Sequence, residues 1–311
     1  MRRTVLVAGA SGQVARSLAA LDVPDLRFAT LGRPDLDLSD PASIERAMDA
    51  HEPVAIVNAA AYTAVDRAET EPDAAFAINR DGASALAEAA ARHGRPIVHI
   101  STDYVFDGTK PEPYVETDPT GPLGVYGRSK LEGEAAVAGA NPAHVILRTA
   151  WVYSPYGANF LKTMLRLAGE RDTVRVVADQ RGTPTYAPDI AVGIAAVLRV
   201  ALRQPGRTDW RGIVHMVAGG ETTWAGFAEE ILRGSAERAG PSARVEPVAT
   251  PDHPTSAKRP ANSRLATARF RRTFGHGLPE WQEGVRNCLD ALRPVRATTA
   301  STNFGGAADD T

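Results

Sequence analysis

The chain has 311 residues, 43% of them hydrophobic and 23% charged, with a formal net charge of −2. That is the profile of a globular protein long enough for one large or two unequal domains and a substantial core. So balanced a charge leaves no basic footprint for nucleic acid and no cationic face for an anionic membrane, while a single cysteine, Cys288, excludes an intrachain disulfide or a cysteine-cluster metal site and suits a reducing compartment.

The residues Thr4–Ala8 form the first apolar run. Met1-Arg2-Arg3 before them resembles the start of a signal peptide, but the run is too short and flows into a glycine turn, so it reads as a first strand. Further β-branched runs follow at Arg27–Leu31, Val54–Asn58, Ile97–Thr102, Val145–Thr149, Val174–Val177 and Ile213–Met216. Helical stretches lie between them near Gln13–Leu21, Ala42–Ala50, Asp73–His93, Val125–Ala138, Asn159–Gly169 and Ile190–Leu202. Strand alternating with helix predicts an α/β fold with a doubly wound parallel sheet, which binds ligands beyond the C-terminal strand ends. Toward the C-terminus, proline-rich loops separate helices at Trp224–Arg238, Asn262–Phe270 and Pro279–Leu292 without strong intervening strands. The expected division is a dinucleotide-binding domain over 1–150, its sheet completed by about 189–217, and a smaller, interleaved substrate domain from 151–188 and 218–295. The small and polar residues 296–311 read as a disordered tail. No run approaches the roughly 18 to 20 apolar residues that span a bilayer.

The first strand leads into Gly9-Ala10-Ser11-Gly12-Gln13-Val14-Ala15 and then a helix. Gly9 permits the tight turn, Gly12 lets backbone approach a pyrophosphate, and Ala15 is small enough for helix to pack on strand, with the phosphate at the helix N-terminus. Turn chemistry alone also produces such a loop. Farther on, Ser101-Thr102-Asp103-Tyr104-Val105-Phe106-Asp107-Gly108 leaves a strand, and Tyr126-Gly127-Arg128-Ser129-Lys130 opens a helix. Tyr126 and Lys130, four apart, share one helix face, so an ammonium can lie beneath the phenol while Thr102 approaches from the side. A nearby cation favours phenolate and brings a tyrosine, ordinarily near pKa 10, toward neutral-pH acid/base work. A ketone receiving hydride needs that donor for its developing alkoxide. A solvated lysine beside a half-buried tyrosine fits the spacing too, but the glycine turn upstream favours reduction with a nicotinamide cofactor.

The glycine loop, the run Asn58-Ala59-Ala60-Ala61-Tyr62-Thr63-Ala64-Val65-Asp66, Ser101 to Gly108, Tyr126 to Lys130 with Leu131-Glu132-Gly133-Glu134, and Arg259-Pro260-Ala261-Asn262-Ser263-Arg264-Leu265 together resemble the dTDP-4-dehydrorhamnose reductase family, within the extended short-chain dehydrogenases. The resemblance runs from about Thr4 to Leu292. It implies a Rossmann-type sheet and reduction of dTDP-4-dehydro-L-rhamnose to dTDP-L-rhamnose by NADPH or NADH, a step in dTDP-rhamnose biosynthesis for cell-surface polysaccharide. A cytoplasmic setting and a homodimer agree with it.

On this resemblance Tyr126 is the general acid, Lys130 also grips the nicotinamide ribose, and Thr102 holds the substrate carbonyl and the phenol in register. Ser11, Gln13, Val14, Ala59, Ala60 and Ala61 join Gly9 and Gly12 around the cofactor. Asp37 and Leu38 resemble an adenine-contacting pair, although an aspartate before Pro41 also suits helix capping. An arginine after the second strand would meet the 2′-phosphate of NADP; Arg33 is that candidate or a solvated loop charge. Thr63, Val65, Asp103 and Tyr104 match sugar-side positions. Trp151 makes an apolar wall, and Asn159 and Arg259 match positions near the diphosphate. Related dehydratases carry an acid at the place of Tyr104, which disfavours elimination of water. Ser17 replaces a glutamate that helps some relatives bind a divalent ion between subunits, so no metal is expected. Two alternatives stay open: a 4-ketoreductase for another nucleotide-linked deoxysugar, and a non-catalytic regulatory subunit similar to the one associated with methionine adenosyltransferase.

Overall fold

The computed structural model describes residues 2–203 and 206–292; the tail expected over 296–311 lies outside the described residues. The first half alternates strand and helix: β1 (Arg3–Ala8), α1 (Gln13–Ala20), β2 (Leu26–Leu31), α2 (Pro41–His51) and β3 (Ala55–Asn58). The chain continues through two short helices, α3 (Val65–Ala68) and α4 (Pro72–Phe76), then α5 (Ala83–Arg92), β4 (Ile97–Thr102), α6 (Val125–Ala140) and β5 (His144–Thr149). After β5 come β6 (Val152–Tyr153), α7 (Phe160–Glu170), β7 (Thr173–Val177), β8 (Arg181–Gly182), β9 (Thr185–Tyr186), α8 (Ala187–Arg203) and β10 (Gly212–His215). The last elements are β11 (Thr222–Thr223), α9 (Trp224–Ala236), β12 (Arg244–Val248), α10 (Ala268–Phe274) and α11 (Trp281–Ala291).

Six parallel strands form the central sheet in the order β2-β1-β3-β4-β5-β10. Their side chains alternate between two buried faces, which is why they read as continuous apolar runs. Val5, Val7 and Val57 meet Ile190, Ile194 and Phe270 of α8 and α10 on one face. Leu6, Ala8 and Ile56 meet Ile44, Met48, Leu86 and Ala90 of α2 and α5 on the other. Chain direction across the sheet reverses between β1 and β3, and a crevice opens there beyond their C-terminal ends.

Three elements differ from the sequence reading. Val174–Val177 does not enter the central sheet; β7 pairs in parallel with β12, a strand within a segment read as strand-poor. Its surroundings explain this, because α7 and α9 cover the pair with Leu161, Met164, Ile231 and Leu232 in a second core that also takes in Cys288. The helix expected over Asn262–Phe270 begins only at Ala268, since Tyr114 N–H donates to the Arg264 carbonyl and Ala266 N–H to the Tyr114 carbonyl in extended bridging, and Asn262 is tied to Lys110 and Glu112 carbonyls. The single helix read over Asp73–His93 is interrupted by a wider π turn at Ala77–Gly82.

That π turn has a purpose at the cleft. Its Asn79 accepts from Tyr62 N–H at 2.8 Å and donates to Tyr62 C=O at 3.1 Å and to Ser129 Oγ at 2.9 Å, tying the loop after β3 to α6. At the start of α6, Glu69 Oε1 accepts from Val125 N–H at 2.7 Å and supplies the cap that Gly124 lacks. Among the described residues no helix is long and apolar enough to cross a membrane.

Candidate active site

Three adjoining cavities make one trough along the crevice. The first, about 410 Å³, lies over the glycine loop and is lined by Gly9, Ser11, Gly12, Arg33, Asp37, Leu38 and Ala59–Thr63. A central cavity of about 530 Å³ shares Ser11, Gly12, Ala59–Ala61 and Thr63 with it, and adds Gln13, Val14, Val65, Thr102, Asp103, Tyr104, Tyr126, Lys130, Trp151 and Asn159. A third, about 500 Å³, meets the second at Tyr104 and is bordered by Phe160, Arg175, Gln180, Trp224, His253, Thr255 and Arg259.

The first cavity suits a dinucleotide. Gly9 has φ +109°, and a β-carbon there would lie 3.2 Å from backbone atoms of Ala59 and Ala60, so only glycine lets β1 and β3 end side by side. Gly12 is the N-cap of α1 and offers no side chain to the first-turn N–H groups, which leaves them for an anion. Asp37 is not the cap of α2; Asp40 performs that task through Ala42 N–H, while Asp37 Oδ1 accepts from the backbone and hydroxyl of Ser39. Gln13 turns away from this cavity: its Oε1 accepts from Ser154 Oγ at 2.8 Å and Asn159 Nδ2 at 3.0 Å. Asn159 is likewise engaged, its Oδ1 capping α7 through Lys162 N–H.

In the central cavity Thr102 ends β4, and Tyr126 and Lys130 come from the first two turns of α6. Gly127 lets that helix lie flush on the turn after β4, for a β-carbon there would fall 2.2 Å from the Tyr104 carbonyl oxygen. The Tyr104 and Tyr126 rings meet edge-on at 5.5 Å. Lys130 is buried, and its Nζ donates to Ile100 C=O at 2.7 Å. Thr102 Oγ1 accepts from Tyr104 N–H and gives its one proton to Asp103 Oδ1 at 3.0 Å. The opposite wall is Trp151, held at φ +48°, stacked on Trp224 at 3.7 Å and seated on Gly182, where a β-carbon would meet the indole at 2.4 Å.

The family model described as RmlD substrate binding domain matches residues 2–293. A dTDP-4-dehydrorhamnose reductase of Sinorhizobium fredii is 52% identical over 92% of this chain and 96% of its own. One of Salmonella typhimurium is 45% identical over 93% and 97%. The crystal structure of a Bacillus anthracis dTDP-4-dehydrorhamnose reductase in complex with NADP superposes with a TM-score of 0.86 at 34% identity, over 94% of this chain and all of that one (100%). The chain belongs to the dTDP-4-dehydrorhamnose reductase family. It is an oxidoreductase of that family, and the Bacillus relative was solved in complex with NADP.

Electrostatics in this family member depart from the sequence reading at one point. Lys130 was expected to lower the Tyr126 pKa, yet burial pushes the phenol above its ordinary range, a hydrogen bond with Thr102 offsets part of the rise, and the charges of Asp103 and Tyr104 add to it. Burial also lowers Lys130 to about 8, against the pull of Glu134. At that value the amine still carries its charge at neutral pH. Burial raises Asp103 to about 6 despite bonds from Ser263 and Thr102, and its Oδ2 has no protein partner. Beneath α6, Glu134 binds Arg148 at 2.6 Å and accepts from Ser101 Oγ at 2.5 Å, a buried pair that fixes the helix on β4 and β5.

Sequence reasoning missed Asp66 and most of the third cavity. Asp66 Oδ2 accepts from Arg259 at 2.9 Å and Oδ1 from Ala257 N–H at 3.0 Å, so α3 pins the C-terminal loop that carries Arg259. Its place at the end of the quoted loop motif was the available signal. Trp224, His253 and Gln180 carried none, because they come from segments that only tertiary folding brings together. No group of three or more His, Cys, Asp or Glu could hold a metal ion among the described residues.

Proposed function

We propose that the protein reduces dTDP-4-dehydro-L-rhamnose to dTDP-L-rhamnose with NADPH, in the cytoplasm and as a homodimer. The observation that carries this reading is the central cavity, where Thr102, Tyr126 and Lys130 share a lining with the glycine loop and Trp151. When bound, the nicotinamide supplies hydride to the C4 carbonyl carbon. Tyr126 then gives its phenolic proton to the oxygen as alkoxide character grows. Thr102, hydrogen-bonded with the phenol, aims it at the carbonyl oxygen. Trp151 confines the deoxysugar on its apolar side. Arg259, oriented by Asp66, faces the cavity where a nucleotide diphosphate would lie, and its planar guanidinium suits phosphate oxygens.

Purified protein given dTDP-4-dehydro-L-rhamnose and NADPH should oxidise the cofactor and yield dTDP-L-rhamnose, identified by product stereochemistry. Absence of cofactor oxidation above background, or a C4 epimer as product, sinks the assignment. Light scattering on the eluting protein tests the dimer.

A further inference from the structure

We propose that Glu69 is a positioning residue for the general acid: its carboxylate, at the C-terminal end of α3, holds the backbone at the first turn of α6 and so sets where the Tyr126 hydroxyl meets the substrate carbonyl. The inference rests on Tyr126 being the acid of the proposed reduction.

Tyr126 is the second residue of α6, in the turn whose N–H groups have no carbonyl to meet inside the helix. Gly124, before that turn, has no side chain to cap it. The partner comes from outside the helix: Val125 N–H donates to Glu69 Oε1 at 2.7 Å, one peptide link away from Tyr126. That contact is tight, for a β-carbon built at Gly124 would fall 2.5 Å from the same oxygen. Beside it Ala68 and Ala75 pack with Val125, joined by the Tyr62, Phe76 and Tyr126 rings. The carboxylate is half-buried, and a negative charge at this end of α6 also complements the helix dipole.

Because α3 is itself anchored, Glu69 acts from a fixed point. Three residues back, Asp66 accepts from Ala257 N–H and from Arg259, and Arg259 donates to the Tyr104 hydroxyl. The Tyr104 ring in turn meets Tyr126 edge-on. Two carboxylates thus divide the work: Asp66 serves the loop that carries Arg259, and Glu69 serves the helix that carries the acid. Gly127 governs how closely α6 lies on the turn after β4, but the winding of its first turn depends on what meets Val125 N–H. A phenol displaced by about 1 Å gives up much of the advantage of an oriented donor, on the order of 10²-fold in rate. Contacts that bind sugar and cofactor elsewhere in the trough are untouched by that displacement, so kcat carries the effect rather than KM.

Steady-state kinetics of the full chain with dTDP-4-dehydro-L-rhamnose and NADPH, beside the Kd for NADPH, test this. Glu69→Ala should lower kcat at least about tenfold with KM and the NADPH Kd within about threefold of wild type, and Glu69→Gln, whose amide oxygen still accepts from Val125 N–H, should recover kcat to within about threefold. Gly124→Ala gives a second route that does not depend on Glu69→Ala folding, since its methyl group displaces the Glu69 carboxylate while the backbone there, at φ −135°, admits alanine. It should lower kcat in the same way, and in the Glu69→Ala background it should cost less than about twofold more. Full kcat in Glu69→Ala or in Gly124→Ala, a Glu69→Gln enzyme no better than Glu69→Ala, or additive losses at the two positions each overturn the proposal. A wild-type protein that turns over none of the sugar sinks the reductase assignment and this inference with it, whereas equal turnover in wild type and Glu69→Ala sinks the inference alone.

Discussion

Tyr126 is held protonated by its surroundings, which suits a donor that must keep its proton until hydride arrives. Removing the hydroxyl as Tyr126→Phe should lower kcat by about 10²- to 10⁴-fold while the Kd for NADPH, read by fluorescence titration, stays within a few-fold of wild type. Retention of full turnover would mean the acid is another group. Asp103 carries a different consequence. Its carboxyl titrates at about 6 in the folded protein against 3.8 as the ordinary value, so between those pH values the folded state binds more protons than the unfolded chain. Stability from this group is therefore lost as pH rises from about 4 to 6, and the ionised form at neutral pH costs up to about 3 kcal/mol. Asp103→Asn should melt higher than wild type at pH 7.5 and level with it at pH 4; equal melting at both would show that the strain is relieved elsewhere.

At the scale of elements, α6 is held by what its glycines omit. Gly127 abuts Tyr104 backbone and Gly133 abuts the Asn79 carbonyl at 2.0 Å from a built β-carbon, whereas Gly139 in the same helix has open space around it. Gly127→Ala should destabilise the fold by about 1–3 kcal/mol and reduce kcat, because the helix must back away from the turn that carries Thr102 and Tyr104. Gly139→Ala should instead stabilise by up to about 1 kcal/mol with kcat unchanged. Denaturant melts of the pair decide it, and equal effects at both positions would contradict the packing argument. These elements also show what the sequence made legible. The β1 turn, β4 and α6 were readable because period, glycine placement and strand ends are local signals. The β7–β12 pairing was not, since each strand is short and only α7 and α9, far away along the chain, make it worth burying. The π turn was hidden too: apart from Asn79, Asp81 and Gly82, Asp73–His93 has a helical composition, and the interruption answers Tyr62 and Ser129 across space.

Across the whole molecule, two cores meet along the trough, and each closes one side of it. Gln13 on α1 reaches Val152, Ser154 and Asn159, so the cofactor end and the sugar end are joined by amide hydrogen bonds within the cleft lining. Asp66 makes a second tie to residues 257 and 259. Residues assigned to the site from resemblance line this trough, while the residues that fix them in place come from every part of the chain and were visible only once it folded. One feature of that lining has an optical consequence. Trp151 and Trp224 stack within 11° of parallel, and the remaining tryptophans, Trp210 and Trp281, are buried in separate cores. Two indoles in such register couple their electronic transitions, so near-ultraviolet circular dichroism carries a contribution from this wall, and a ligand settling against it would register as a change in that band without label or dye.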